Sequence, residues 1–226
     1  MSGIEACLFD LDGVIVDTAK YHFIAWRQIA EELGFVFTEK DNERLKGVSR
    51  QRSLDILLEV GGISPGAEAK EKLAARKNGI YLDYIRKLSP QEILPGAESF
   101  LKACRAQGLK TALATASRNS ALILDLLKIR ALFDAVVDGN KVKRTKPDPE
   151  VFLLCAKELG VAPAACVVFE DAEAGIAAAR AAGMFSVGIG KPAILKLANI
   201  VAPGLAELSV EEVLALAERG ERRALQ

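Results

Sequence analysis

The chain has 226 residues, half of them hydrophobic, with 30 acidic and 30 basic side chains that leave no formal net charge. That length is enough for one large domain or two smaller ones around a substantial core. Balanced charge gives no sign of a nucleic-acid or membrane-surface binder, no apolar stretch approaches the roughly 18 residues of a membrane span, and no basic-then-apolar leader opens the chain.

The first apolar run, residues 4–9, reads as a buried strand and stops in Asp10-Leu11-Asp12-Gly13-Val14. Two carboxylates at the end of a parallel strand add desolvation cost and repulsion without serving the fold. The carboxyl edge of a parallel sheet is also where α/β proteins bind ligands. A long helical region follows. Asp17 or Thr18 can cap a helix whose Phe23, Trp26, Ile29, Ala30 and Leu33 recur at helical spacing up to Gly34. Residues 42–46, 51–60 and 67–88 also read as helices, with Gly61-Gly62 and Ser64-Pro65-Gly66 as breaks. After Leu94-Pro95-Gly96, apolar runs at 111–116, 135–137, 166–169 and 185–189 alternate with helical segments at 97–107, 120–128, 150–159 and 172–182. The pattern predicts an α/β protein: a Rossmann-like parallel sheet core built from residues 1–15 and 93–226, with a helical cap inserted over 16–92. Cys7, Cys104, Cys155 and Cys166 are scattered without metal-ligand spacing, which reads as buried reduced thiols in a cytoplasmic protein.

Three more polar features fall at the ends of later strands: Thr115-Ala116-Ser117-Arg118-Asn119, Thr145-Lys146-Pro147-Asp148-Pro149, and Glu170-Asp171. In a parallel sheet these ends share one edge. Each pair of carboxylates brought to 4 Å costs about 4 kcal/mol at an effective dielectric of 20, so four of them call for a cation. All-oxygen ligands favour a hard ion, and Mg²⁺ suits phosphate chemistry. An aspartate can act as nucleophile, and a second carboxyl can protonate a leaving oxygen. Hydroxyl and amide donors with one Lys can neutralise phosphoryl oxygens. Asp10, Asp12, Thr115, Ala116 and Lys146 supply the right types.

In order and spacing, Asp10-Leu11-Asp12-Gly13-Val14, Thr115, Lys146-Pro147 and Glu170-Asp171 resemble the four motifs of the haloacid dehalogenase superfamily, over essentially the whole chain. The resemblance implies an aspartate-based phosphotransferase with a small helical cap. Asp10 would be nucleophile and metal ligand. Asp12 would be acid/base and would ligate through its backbone carbonyl, with Glu170 and Asp171 completing the Mg²⁺ site directly or through water.

Within that superfamily, residues 17–26, 45–50, 75–78 and 115–119 resemble the β-phosphoglucomutase family. This implies interconversion of β-glucose 1-phosphate and glucose 6-phosphate through a 1,6-bisphosphate, by a monomer whose partners are small sugar phosphates. A mutase needs a second phosphate site, because the bisphosphate must turn around. Arg50 in the cap, with Ser117, Arg118 and Asn119 on the core, could hold that distal phosphate. The resemblance has Gly47, Val48 and Ser49 cradle the sugar, puts His22 at the hinge near Asp12, and has Lys77 line the cleft. Three positions depart from the family pattern: Thr115 for Ser, Ala172 for Ser and Arg118 for Lys.

Each assignment has a plainer competitor. His22 could be an ordinary helix residue, Trp26 core packing, and Arg50 a solvated neighbour of Arg52 and Asp55. Lys77 could belong to a basic face with Lys70, Lys72 and Arg76, and Ser117–Asn119 could only cap a helix. Two other functions share these residues: a sugar-phosphate phosphatase, and a non-enzymatic phospho-aspartate receiver.

Overall fold

The computed structural model describes residues 3–220 and the backbone of Arg223 and Ala224. Strand β1 (Ala6–Phe9) lies at the centre of a parallel sheet. Its neighbours are β2 (Lys110–Ala114) and β4 (Cys166–Glu170). Outside them come β3 (Ala135–Val137) on one side and β5 (Phe185–Ile189), β6 (Ile200–Ala202) and β7 (Arg223–Ala224) on the other. The order is β3-β2-β1-β4-β5-β6-β7. Register pairs Phe9 with both Leu113 and Phe169, so the residues after β1, β2 and β4 emerge side by side.

Alternation along β1 divides the core into two layers. Cys7 and Phe9 face α5 (Ala97–Ala106), α6 (Ser120–Leu127) and α9 (Val210–Arg219), with Phe9 stacked on Phe169 at 4.6 Å. Ala6 and Leu8 face α7 (Glu150–Leu159) and α8 (Glu173–Ala181). A strand buried on both faces reads as a continuous apolar run, as this one does.

Between β1 and β2 the chain forms α1 (Ala19–Glu32), α2 (Glu39–Glu43), α3 (Arg50–Val60) and α4 (Ala67–Ile85). Helices α1 and α4 pack along each other and bury Trp26, Ile29, Tyr81 and Ile85. The outgoing and returning segments meet: Val16 bridges antiparallel to Ile93, and Leu94 N donates to Ile15 O at 2.9 Å.

The differences from the sequence expectation have local causes. Helix α2 starts at Glu39 rather than residue 42, because Thr38 and Asp41 form a reciprocal capping box. It ends at Glu43, leaving Arg44–Lys46 as turn. Strand β2 stops at Ala114, which frees Thr115 to Asn119 as a loop. Strands β6 and β7 and helix α9 are additional elements, the strands too short to show a clear period. All four cysteines are buried free thiols, as expected.

Candidate active site

Asp10 follows β1 directly and is 5 % exposed. Lys146 approaches it from the loop before α7. Its Nζ donates to Asp10 Oδ1 at 2.5 Å, to Glu170 Oε2 at 2.7 Å and to Ala114 O at 3.1 Å. Three donors meet three acceptors, and a buried ammonium is satisfied. Burial works against that charge, but the Asp10 and Glu170 carboxylates outweigh it and hold the Lys146 pKa above its ordinary value. Glu170 also accepts from Ala172 N at 3.2 Å. Lys146 and Glu170 therefore lie beneath the floor of the cleft, reaching it through Asp10.

Carboxyl oxygens of Asp10, Glu170 and Asp171 lie within 4.8 Å of one another, the cluster of metal-ligand type found among the described residues. Burial pushes Glu170 up to about 8 against the opposing pull of Lys146, and burial, then Asp10, pushes Asp171 up to about 7. Asp12 is pushed up to about 8, by burial first and Asp10 second. Its Oδ1 is enclosed and has no hydrogen-bond partner. Crowded carboxyls with raised proton affinity and an oxygen left unpaired fit a hard divalent cation, which would relieve both. The carboxyl of Asp12 stands outside the three-residue cluster. The turn after the two motif aspartates needs Gly13: its φ is +81°, and a Cβ there would overlap the Asp171 carboxylate.

Above this floor lies a cleft enclosing about 840 Å³ including its open mouth, a size suited to small ligands. The structure brings Asp10, Asp12, Thr115, Ala116, Ser117, Arg118, Asn119 and Asp171 to its core side. From the helical side come His22, Gly47, Val48, Arg50 and Lys77. Ser49 is the predicted substrate-binding residue that does not line it: its hydroxyl accepts from Arg52 N and caps α3. Thr115 Oγ1 accepts from Ser117 N at 3.1 Å, and Ser117 Oγ accepts from Asn119 N at 3.2 Å, so the loop is self-braced at the start of α6.

Lys77 does not sit on a solvated basic face. It is 2 % exposed, 4.8 Å from the Trp26 ring centre and 4.7 Å from that of Tyr81. Burial, then Arg50, brings its pKa down to about 7, and its Nζ lies 2.7 Å from His22 Nδ1. Burial, then Lys77, pushes His22 well below its usual value, which leaves a neutral imidazole in hydrogen-bond contact with Lys77. Trp26 is both core and cleft wall.

At the far end, Arg50 is half-buried, and its pKa is lowered by burial and then by Arg118 across the cleft. Asn119 Nδ2 donates to Asn78 Oδ1 at 3.0 Å, joining α4 to the loop after β2. Lys46, Ser53 and Asn78 also line the cleft and were not singled out from sequence. Ser53 lies one helical turn beyond Arg50, a spacing that places both on one face of α3.

Residues 4–183 match the family model of haloacid dehalogenase-like hydrolases. The chain belongs to that family. Among curated relatives of this haloacid dehalogenase-like protein, β-phosphoglucomutase of Bacillus subtilis is 44 % identical over 211 residues, 92 % of this chain and 93 % of that one. A phosphorylated-carbohydrate phosphatase of Thermotoga maritima is 35 % identical over 184 residues, 80 % of this chain and 82 % of that one. The crystal structure of β-phosphoglucomutase from Clostridium difficile superposes with a TM-score of 0.93 at 44 % identity, covering 96 % of this chain and 98 % of that one. The α/β parallel-sheet fold is shared with that structure.

Proposed function

We propose that this chain is a β-phosphoglucomutase, an isomerase that interconverts β-D-glucose 1-phosphate and glucose 6-phosphate. One observation carries the reading: a single cleft has a buried aspartate floor at one end and two facing guanidiniums, Arg50 and Arg118, at the other. Their mutual repulsion is what a second phosphate would relieve. The 44 % identity to two β-phosphoglucomutases supports it.

An Asp10 carboxylate oxygen attacks phosphorus while the bond from phosphorus to the sugar oxygen breaks. Asp12, protonated at neutral pH by its raised pKa, gives its proton to the departing oxygen. In the second half Asp12 takes a proton from the other sugar hydroxyl, which attacks the aspartyl-phosphate and releases Asp10. Lys146 offsets charge on Asp10 and on the transferring group, and the Thr115 hydroxyl with the Ala116 backbone faces its oxygens. Between the halves the β-glucose 1,6-bisphosphate reorients, its distal phosphate held by Arg50, Ser117, Arg118 and Asn119. Gly47 and Val48 border the sugar, and Lys77 with neutral His22 forms the wall above Asp12.

Asp10, Asp171 and the Asp12 backbone carbonyl, with Glu170 behind them, would hold Mg²⁺. The ion would neutralise phosphoryl oxygens and screen the carboxylates from one another. Residues 16–92 serve as the cap and the rest as the core. We read the protein as a monomeric cytoplasmic enzyme; its four cysteines are buried thiols, as suits a reducing compartment.

The test is an assay of β-glucose 1-phosphate with Mg²⁺, with and without a trace of 1,6-bisphosphate. Primer-dependent glucose 6-phosphate is the expected product. Free phosphate as the main product would instead make the chain a sugar-phosphate phosphatase, like its Thermotoga relative.

A further inference from the structure

Gly47 sits at the tip of the loop between α2 and α3, with φ +70°. Its open side faces the sheet domain. A Cβ there would stand 3.2 Å from Ala172 Cβ, 3.9 Å from Ala174 Cβ and 4.0 Å from Lys146 Cδ. Ala172 is buried just before α8, and Ala174 is half-buried in its first turn. The loop thus meets the core through three residues carrying at most a methyl group, directly over the stem of the lysine that holds Asp10. On another side of the cleft the two parts are joined by the Asn78–Asn119 hydrogen bond. A wedge at the Gly47 contact would therefore lift the loop tip without removing any polar partner of the site.

We propose that the Gly47–Ala172–Ala174 contact is the seal that sets whether a sugar hydroxyl or water accepts the phosphoryl group from Asp10. The proposal rests on the mutase reading. Either acceptor breaks the same bond, between Asp10 oxygen and phosphorus, and either passes its proton to Asp12. Only the group admitted differs, and so does the product, sugar phosphate or inorganic phosphate. A water is about 2.8 Å across, so a shift of the loop tip by one or two carbon radii is enough to admit it. Ala172 and Ala174 are specificity-determining by their size: neither lines the cleft, and they let the Gly47 loop come down. Gly47 itself cannot be used to probe this, because any side chain at φ +70° strains the backbone as well. Ala174 can, since a helix accepts Leu readily.

The experiment compares the unaltered chain with Ala174→Leu, and with Ala181→Leu, the same change at an exposed position of the same helix. Each is given β-glucose 1-phosphate, Mg²⁺ and a trace of 1,6-bisphosphate, and glucose 6-phosphate and inorganic phosphate are both measured. Ala174→Leu should raise the ratio of phosphate to glucose 6-phosphate by about tenfold, with Ala181→Leu unchanged. Phosphate release after a single turnover with an acyl phosphate, with no sugar present, should rise in parallel. A normal partition ratio in folded Ala174→Leu overturns the seal while leaving the mutase reading intact. No glucose 6-phosphate from the unaltered chain overturns the mutase reading, and the seal with it. Should Ala174→Leu melt near room temperature, Ala174→Ser carries the same comparison with a rise of about twofold.

Discussion

At the floor of the cleft the carboxylates stand on strand ends, with Lys146 reaching beneath them from the loop before α7, at 2 % exposure, and Glu170 at 0 %. At the far end, the roof, Arg50 is carried by a helix and Arg118 by the loop after β2, where its Nε donates to Gly139 O at 3.2 Å, and neither makes an ion pair with an acidic side chain among the described residues. Beneath Asp10 the charges are satisfied internally: Lys146 has three acceptors, and Glu170 has donors on both oxygens. The roof leaves cations to be satisfied by whatever binds. Structure sets the first region before any ligand arrives, whereas the second is completed by the ligand. That division matches the chemistry, since phosphorus must meet a fixed nucleophile while a bisphosphate must be held, released and turned.

The contrast breaks first at the nucleophile. Asp10→Asn should lower turnover at least about 10⁴-fold on sugar phosphates and acyl phosphates alike, because no roof contact replaces a lost attacking oxygen. Turnover near that of the unaltered chain in a steady-state assay would remove Asp10 from its role. Next, Lys146→Met leaves Asp10 and Glu170 buried without their shared cation. A denaturant melt should show a loss of about 3 kcal/mol, with activity down roughly a hundredfold.

Arg50→Ala sharpens the same comparison from above. It should cost about 2 kcal/mol in kcat/KM on the sugar phosphate and little on a small acyl phosphate, which has no distal group. Equal losses on both substrates would show that Arg50 acts on the floor after all.

The smallest effect is a shift with pH. Asp12, Glu170 and Asp171 hold their protons more tightly folded than unfolded, with pKa values of about 8, 8 and 7. Their contribution to stability is fully present below the ordinary carboxyl range and is lost progressively as pH rises from there up to their folded values of about 7 and 8. Lys77, lowered to about 7, acts with the opposite sign and only above that pH. The metal-free protein should therefore melt lower at pH 7 than at pH 5, by a few degrees in a calorimeter. Added Mg²⁺ competes for the deprotonated carboxylates, so it should raise Tm more at pH 7 than at pH 5. A larger metal effect at pH 5 would place the binding elsewhere.

The floor was legible in the sequence, and the roof only partly so. Asp10, Asp12, Glu170 and Asp171 stand out because charge at the end of an apolar strand has no folding purpose, and the parallel order then brings those ends together. What Lys146 touches depends on a loop 136 residues away in sequence from Asp10. Lys77 divides pattern from resemblance: its neighbours Lys70, Lys72 and Arg76 suggest a solvated face, the resemblance implies cleft lining, and it lines the cleft between Trp26 and Tyr81. Ser49 shows the converse. Its place beside Gly47 and Val48 suggests sugar contact, but a serine before a helix has a local use as cap, and that use prevails. Asn78 could not be foreseen, because its partner Asn119 becomes a neighbour only when α4 lies over the sheet edge.

The Val16–Ile93 bridge has a meaning beyond the geometry of the cleft. A segment that leaves and returns at one point closes its own loop, so the sheet needs nothing from the inserted helices to connect β1 to β2. Such an insertion is a cassette: another helical module with ends equally close could be spliced between Val16 and Ile93 over the same strand-end aspartates. Different substrates could then be acquired by exchanging the inserted helices, with the aspartate, the lysine and the acidic cluster inherited unchanged.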